Sequence, residues 1–158
     1  MGDRLHYLKS AINTLAGSNL FENIKVSSVY ETGPQDMDSD NDFLNLALSC
    51  TTEIPPADIL DLIKSIEREF GRDQSQVYHD RTLDIDILAY GDKVIRTYNL
   101  AIPHLKMHER PFVLVPLSEI EPDFIHPVIK LKPEQMLGKI NKKYKIKKVE
   151  GIRLDGQI

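Results

Sequence analysis

The stretch Arg81-Thr82-Leu83-Asp84-Ile85-Asp86-Ile87-Leu88 limits the possible folds more than any other part of this chain. Side chains along a strand alternate between its faces, so Leu83, Ile85 and Ile87 share one face while Asp84 and Asp86 share the other. The pattern predicts a half-buried strand over Thr82 to Tyr90 whose apolar face needs a covering layer. Helices can supply that cover. Leu5, Leu8, Ile12 and Leu15 recur at helical spacing between Asp3 and Leu15, with Gly17 as a stop. Pro55-Pro56 opens a second helix with Ile59, Ile63, Ile66 and Phe70 on one stripe, ended by Gly71.

Two more strands are expected. Ile24 to Glu31 is rich in β-branched residues, and Phe43 to Thr51 follows the acidic, turn-rich segment between them. The order α-β-β-α-β suggests an α+β sheet with helices on one face, for which a ferredoxin-like α/β sandwich is the natural arrangement. Beyond Gly91 the pattern is ambiguous, and the apolar run Phe112 to Leu117 fits either a strand or a buried helix. Neither repeats nor a long linker divide the 158 residues, so positions 1–158 are expected to form one domain.

Charge and composition narrow the function. Charged residues make up 28% of the chain and no apolar run approaches the roughly 20 residues of a membrane helix, so a cytoplasmic protein is expected. The net charge of -4 gives no overall attraction to nucleic acid. Nine of the 20 basic residues lie between Lys130 and Arg153, where KYKIKK reads as a half-buried strand with a solvated lysine face, the alternative being phosphate or nucleic-acid contact. The single cysteine, Cys50, lies in a strand pattern and is expected to be a buried, inert thiol.

Asp84 and Asp86 stand at i and i+2, about 6.5–7 Å apart along a strand, close enough to converge on a pair of metal ions. Hard carboxylate oxygens suit Mg²⁺, which fills the rest of its shell with water and substrate phosphates. Taken alone, the pair also fits a solvated strand face. Cations surround it in sequence: Arg72 and Arg81 before it, then His104, His108 and Arg110. Phosphoryl transfer uses such a mixture, because guanidinium forks stabilise charge spread over the transferred oxygens. Surface ion pairs from Arg72 and Arg81 to Asp73 and Asp80 are the plainer reading, as is a buried, hydrogen-bonded His104. No P-loop or glycine-rich dinucleotide motif is present, so any triphosphate must be held by side chains and metal.

The succession SSVYET-GPQD, DFLN, IEREFGR, RTLDIDIL, IPH and RPFVLVPLSEIEP closely resembles the 6-hydroxymethyl-7,8-dihydropterin pyrophosphokinase family over roughly positions 25 to 127. The resemblance implies a ferredoxin-like fold. It also implies transfer of the β,γ-diphosphate of ATP to the pterin hydroxymethyl oxygen with release of AMP, by an enzyme expected to act as a monomer. By match to the family motifs, Asp84 and Asp86 would hold two Mg²⁺ ions. Arg72, Arg81 and His104 would contact the ATP phosphates, Arg110 would also bind ATP, Glu67 and Ile87 would help form the nucleotide pocket, and Arg72, Arg81, Asp84 and Asp86 would serve catalysis. Asn45 would hydrogen-bond the pterin, Phe43 and Phe112 would stack on it, Thr32 and Gly33 would contact it through backbone, and Tyr78 would cap it. Away from the motif, Phe43 and Phe112 also read as ordinary core residues. The segments Thr32 to Asp42 and Asp73 to Asp80 would close over ATP.

The sequence departs from the family pattern in three places. The family usually begins with a strand and a G-S-N-L type turn ahead of the first helix, whereas this sequence starts at Met1-Gly2-Asp3-Arg4, already at the helix. The usual first strand is therefore expected to be missing, leaving neighbouring backbone groups unpaired. Tyr78-His79-Asp80 replaces a W-G-P triplet, and Leu105 stands where a tyrosine often follows the histidine.

Overall fold

The computed structural model describes residues 2–33, 43–71 and 83–150. Among them the chain forms a mixed α+β fold with four α-helices and small antiparallel sheets. Helix α1 spans Gly2–Gly17. Strands β1 (Glu22–Val26) and β2 (Tyr30–Thr32) are followed by β3 (Phe43–Asn45) and β4 (Leu48–Thr51). Helix α2 (Pro56–Ile66) continues into a π-helical turn at Glu67–Gly71.

The strand expected over Ile24 to Glu31 is interrupted at Ser27–Val29, and its partner over Phe43 to Thr51 at Leu46–Ala47. Serine side chains explain the break, because hydroxyls compete with backbone groups for ladder partners. The Ser27 Oγ donates to the Ser28 carbonyl at 2.8 Å and accepts from the Ala47 amide at 2.8 Å. On either side of this kink β1 pairs antiparallel with β4, and β2 with β3. Strand β7 (Ile146–Lys148) pairs with the other edge of β2, so part of the KYKIKK segment is a strand as its alternation suggested.

Leu83–Tyr90 joins no ladder among the described residues, where a strand was expected. Its alternation is nevertheless physical. Asp84 and Asp86 are exposed, Leu83 is buried, and Ile85 and Ile87 are half-buried. Leu83 and Ile85 pack with Ala11 of α1 and Ile66 of α2, the helical cover that the apolar face required. The other side of α1 places Ile12 and Leu5 against Leu44 and Leu48 of the strands and against Val29 and Leu46 of the breaks between them. Helix α1 therefore separates the hairpin from the aspartate segment.

The ambiguous run resolves as helix α3, Pro111–Ile120, with Pro111 in its first turn, where a missing amide costs nothing. It follows a short pair of strands, β5 (Ile95–Arg96) and β6 (Ala101–Ile102), and a 3₁₀ turn at Met107–Glu109. Leu114 and Leu117 of α3 form a core with Met107 and with Met136 of α4 (Pro133–Leu137). Cys50 is exposed, contrary to the expected buried thiol. It lies beyond Leu48, the last residue on its face of β4 packed in the hairpin core. No helix of the described residues is long and apolar enough to cross a membrane.

Candidate active site

The face that carries Asp84 and Asp86 continues, by the same period of two, to Leu88. Leu88 packs against the Met107–Leu114–Leu117 core. The carboxylates therefore look toward the side of the segment where α3 lies, with α1 and α2 behind them. A backbone bond fixes the next element: the His104 amide donates to the Leu88 carbonyl at 2.9 Å. His104 follows the cis Ile102–Pro103 peptide bond.

Asp86 and Arg110 each lie within electrostatic reach of His104. Burial lowers the pKa of His104, with Arg110 and Lys106 pushing the same way and Asp86 opposing them. The Lys106 amide donates to His104 Nδ1 at 3.2 Å, so the neutral ring carries its proton on Nε2, which makes no hydrogen bond among the described residues. Arg110 also places its guanidinium carbon 5.6 Å from the centre of the Phe112 ring, a cation–π contact joining this cluster to the start of α3.

Glu67 is held behind the carboxylates. It is 3% exposed, and its Oε2 accepts a hydrogen bond from the Ile85 amide at 2.8 Å. Its Oε1 lies 3.5 Å from Lys64 Nζ and makes no hydrogen bond among the described residues. A carboxylate from the end of α2 thus grips the backbone between Asp84 and Asp86. Ile87 lies on the face opposite the aspartates.

A second group forms across β2 and β3. Thr32 stands opposite Phe43 in the ladder, and Tyr30 opposite Asn45. Asn45 Nδ2 donates to the buried Thr32 Oγ1 at 3.0 Å, which fixes the amide plane. Its carbonyl oxygen and second amide proton have no hydrogen-bond partner among the described residues. Phe43 is 37% exposed, so the reading of it as a core residue fails. Gly33 follows β2 half-buried. Helix α3 packs on β2 and β3, so Phe112 is carried by the element that bridges the two groups. Arg72, Arg81 and Tyr78 lie outside the described residues, as do most residues of the two segments expected to close over ATP.

One polar centre escaped the sequence reading. Glu119 accepts hydrogen bonds from the Ser28 amide, the Ser28 hydroxyl and the Tyr30 hydroxyl. Its signal was the spacing of seven residues from Phe112, which carries meaning only once the run is known to be helical.

The fit of the aspartate pair to a divalent cation follows from its donors. Two exposed carboxylates share a face and offer hard oxygen donors. That suits Mg²⁺, which binds through one or two carboxylates and leaves room for water and phosphate.

Residues 1–122 match the model of the 7,8-dihydro-6-hydroxymethylpterin-pyrophosphokinase family. The chain belongs to this family. It is 39% identical to the 2-amino-4-hydroxy-6-hydroxymethyldihydropteridine pyrophosphokinase of Aquifex aeolicus over 87% of this chain and 88% of that protein. The Bacillus subtilis enzyme of the same name is 41% identical over 76% of this chain and 72% of its own length. The folic acid synthesis protein FOL1 of Dictyostelium discoideum is 36% identical over 86% of this chain and 20% of that longer protein. The chain is accordingly a pyrophosphokinase of folate biosynthesis.

Proposed function

We propose that this pyrophosphokinase transfers the β,γ-diphosphate of ATP to 6-hydroxymethyl-7,8-dihydropterin, and that the residues around Asp84 and Asp86 carry the reaction. The observation that supports this most directly is the placement of two exposed carboxylates on one face, beside His104 and Arg110. In the transfer, the pterin hydroxymethyl oxygen bonds to the β-phosphorus as the bond from that phosphorus to the α–β bridging oxygen breaks. AMP departs and the hydroxyl proton is lost to a group this reading does not assign.

Asp84 and Asp86 would hold two Mg²⁺ ions, which when bound neutralise phosphate charge and bring the reacting oxygens into line. Arg110 adds fixed positive charge near the same face. Neutral His104 donates from Nε2 to a phosphate oxygen, so its contribution is a directed hydrogen bond rather than a full charge. Arg72 and Arg81 complete the phosphate contacts, and Glu67 and Ile87 border the nucleotide. At the other end Asn45 offers a carbonyl oxygen and an amide proton to the pterin edge, while Phe43 and Phe112 present ring faces. Thr32 and Gly33 contribute backbone contacts and Tyr78 caps the ring.

We further infer a single domain over residues 1–158, acting as a monomer, with a ferredoxin-like arrangement. The layering of α1 and α2 against the aspartate segment and the hairpin supports that topology. The deciding experiment incubates the purified chain with ATP, Mg²⁺ and the pterin, and resolves AMP and pterin diphosphate by chromatography. Both products are expected from the chain, with at least about a hundredfold less from Asp84→Ala or Asp86→Ala. Equal turnover in those variants would remove the aspartates from the mechanism.

A further inference from the structure

The pterin pocket proposed above needs Phe112, on α3, to keep its aim relative to Thr32 and Asn45, on β2 and β3. Helix α3 is poorly equipped to hold itself. Pro116 lies inside it, so the bond that its amide would give the Phe112 carbonyl is missing. The side-chain contacts of α3 with the strands must then fix its rotation.

Among the described residues Glu119 accepts from the Tyr30 hydroxyl and from both the amide and the hydroxyl of Ser28. The Tyr30 hydroxyl donates to Oε1 at 2.7 Å, the Ser28 hydroxyl to Oε2 at 3.0 Å, and the Ser28 amide reaches both oxygens at 3.1 and 3.0 Å. Partial desolvation would raise the pKa of this carboxyl, but the bonds from Tyr30 and Ser28, with the charge of Lys148 nearby, hold it below its usual range. It stays ionised and accepts all of these donors. Tyr30 begins the strand that ends at Thr32, and it stands opposite Asn45 in the ladder. Phe112 and Glu119 are seven residues apart, two helical turns, and so lie on one face of α3. Fixing one end of that face fixes the direction of the other.

We propose that Glu119 is a positioning residue of the pterin pocket, locking α3 to the strand that carries Thr32 and so setting the aim of Phe112. The proposal rests on the pocket reading given above. Glu121 makes an informative contrast. As the residue that caps α3, outside its helical turns, it ties the C-terminal end of the helix to Ser49 and Lys25, on β4 and β1.

The test compares Glu119→Ala, Glu119→Gln, Tyr30→Phe, Glu121→Ala and Asn45→Ala by thermal unfolding and by KM for each substrate. Glu119→Ala is expected to raise the pterin KM about tenfold and leave the ATP KM within about twofold, as loss of charged-group hydrogen bonds should. Glu119→Gln, which keeps an acceptor for Tyr30, should recover part of the loss, and Tyr30→Phe should show a smaller change in the same direction. Glu121→Ala should lower the melting temperature without moving the pterin KM. The proposal falls if folded Glu119→Ala keeps its pterin KM while Asn45→Ala raises it, or if both KM values rise together in Glu119→Ala and Glu121→Ala alike. If neither Asn45→Ala nor Glu119→Ala moves the pterin KM, the pocket reading falls and this proposal with it. Should Glu119→Ala fail to fold, Tyr30→Phe decides by the same criteria.

Discussion

The Ile85 amide gives its hydrogen bond to Glu67 Oε2 at 2.8 Å, so the backbone between the two aspartates is held by a buried carboxylate from the end of α2. An extended segment outside any ladder needs such a hold, because a buried amide without a partner is costly. The bond links helix packing directly to the geometry of Asp84 and Asp86.

Glu67→Ala should therefore destabilise the protein by about 1 kcal/mol, the net loss of one hydrogen bond at a part-buried donor. Glu67→Gln keeps the acceptor and should cost less. Denaturant unfolding measures the difference. Equal stability of Glu67→Ala and the unmodified chain would mean that the amide finds another partner.

Asn45→Ala should raise the pterin KM about tenfold or more while sparing that for ATP, because it removes the polar edge that matches the ring. It also releases Thr32 Oγ1 from its bond, so a small loss of stability is expected alongside. Steady-state kinetics varying one substrate at a time separates the two effects. A change confined to ATP would move Asn45 to the wrong end of the site.

His126 gives the fold an acid-sensitive point. It is 4% exposed, and its Nδ1 accepts from the amides of Val128 and Ile129 at 3.2 and 3.1 Å. Burial, followed by repulsion from His108 and Arg96, lowers its pKa below the ordinary 6.5. The folded state then binds fewer protons than the unfolded state, so this contribution is present above pH 6.5 and is lost as pH falls through the folded value. His126→Asn retains an acceptor but cannot titrate, and should flatten the slope of melting temperature between pH 7 and 5. An unchanged slope would place the acid sensitivity elsewhere.

Tyr30 gives the opposite limit. Burial, reinforced by the hydrogen bond to Glu119 and its charge, pushes the phenol from 10.0 up to about 12. The unfolded chain loses this proton first, so the stabilisation is complete below about pH 10 and is lost as pH rises through the folded value. Spectrophotometric titration of the six tyrosines should show one titrating near 12 in the folded chain. Tyr30→Phe should remove it, and persistence of that step would assign it to another ring.

Much of this arrangement could be read from residue order. The alternation around Asp84 and Asp86 predicted both their exposure and the helical cover beneath Leu83 and Ile85, because period and burial are local properties. Pro55-Pro56 and the Ile63–Ile66 stripe likewise identified α2. The breaks at Ser27 and Ala47 were hidden, since they depend on a hydroxyl bonding across a hairpin. The run at Phe112 could not be resolved from pattern alone, because it is apolar throughout and Pro116 argues against the helix it joins. Cys50 was misread because strand residues were assumed to be covered along their whole length. The closeness of Asp86 to His104 goes with the Leu88–His104 backbone bond, and spacing holds no trace of that bond.

The ladder between Thr32 and Ile146 ties the strand proposed to meet the substrate to a segment beyond the 1–122 family match. Among the described residues strand β2 is thereby an interior strand, flanked by β3 and β7, while Lys147 and Lys148 place charge on the outer edge. Short, lysine-bearing edges resist edge-to-edge association. The segment after residue 122 thus braces a strand that the family motifs supply, and Ile146→Pro, which removes a ladder donor from β7, should lower stability while every family motif stays intact.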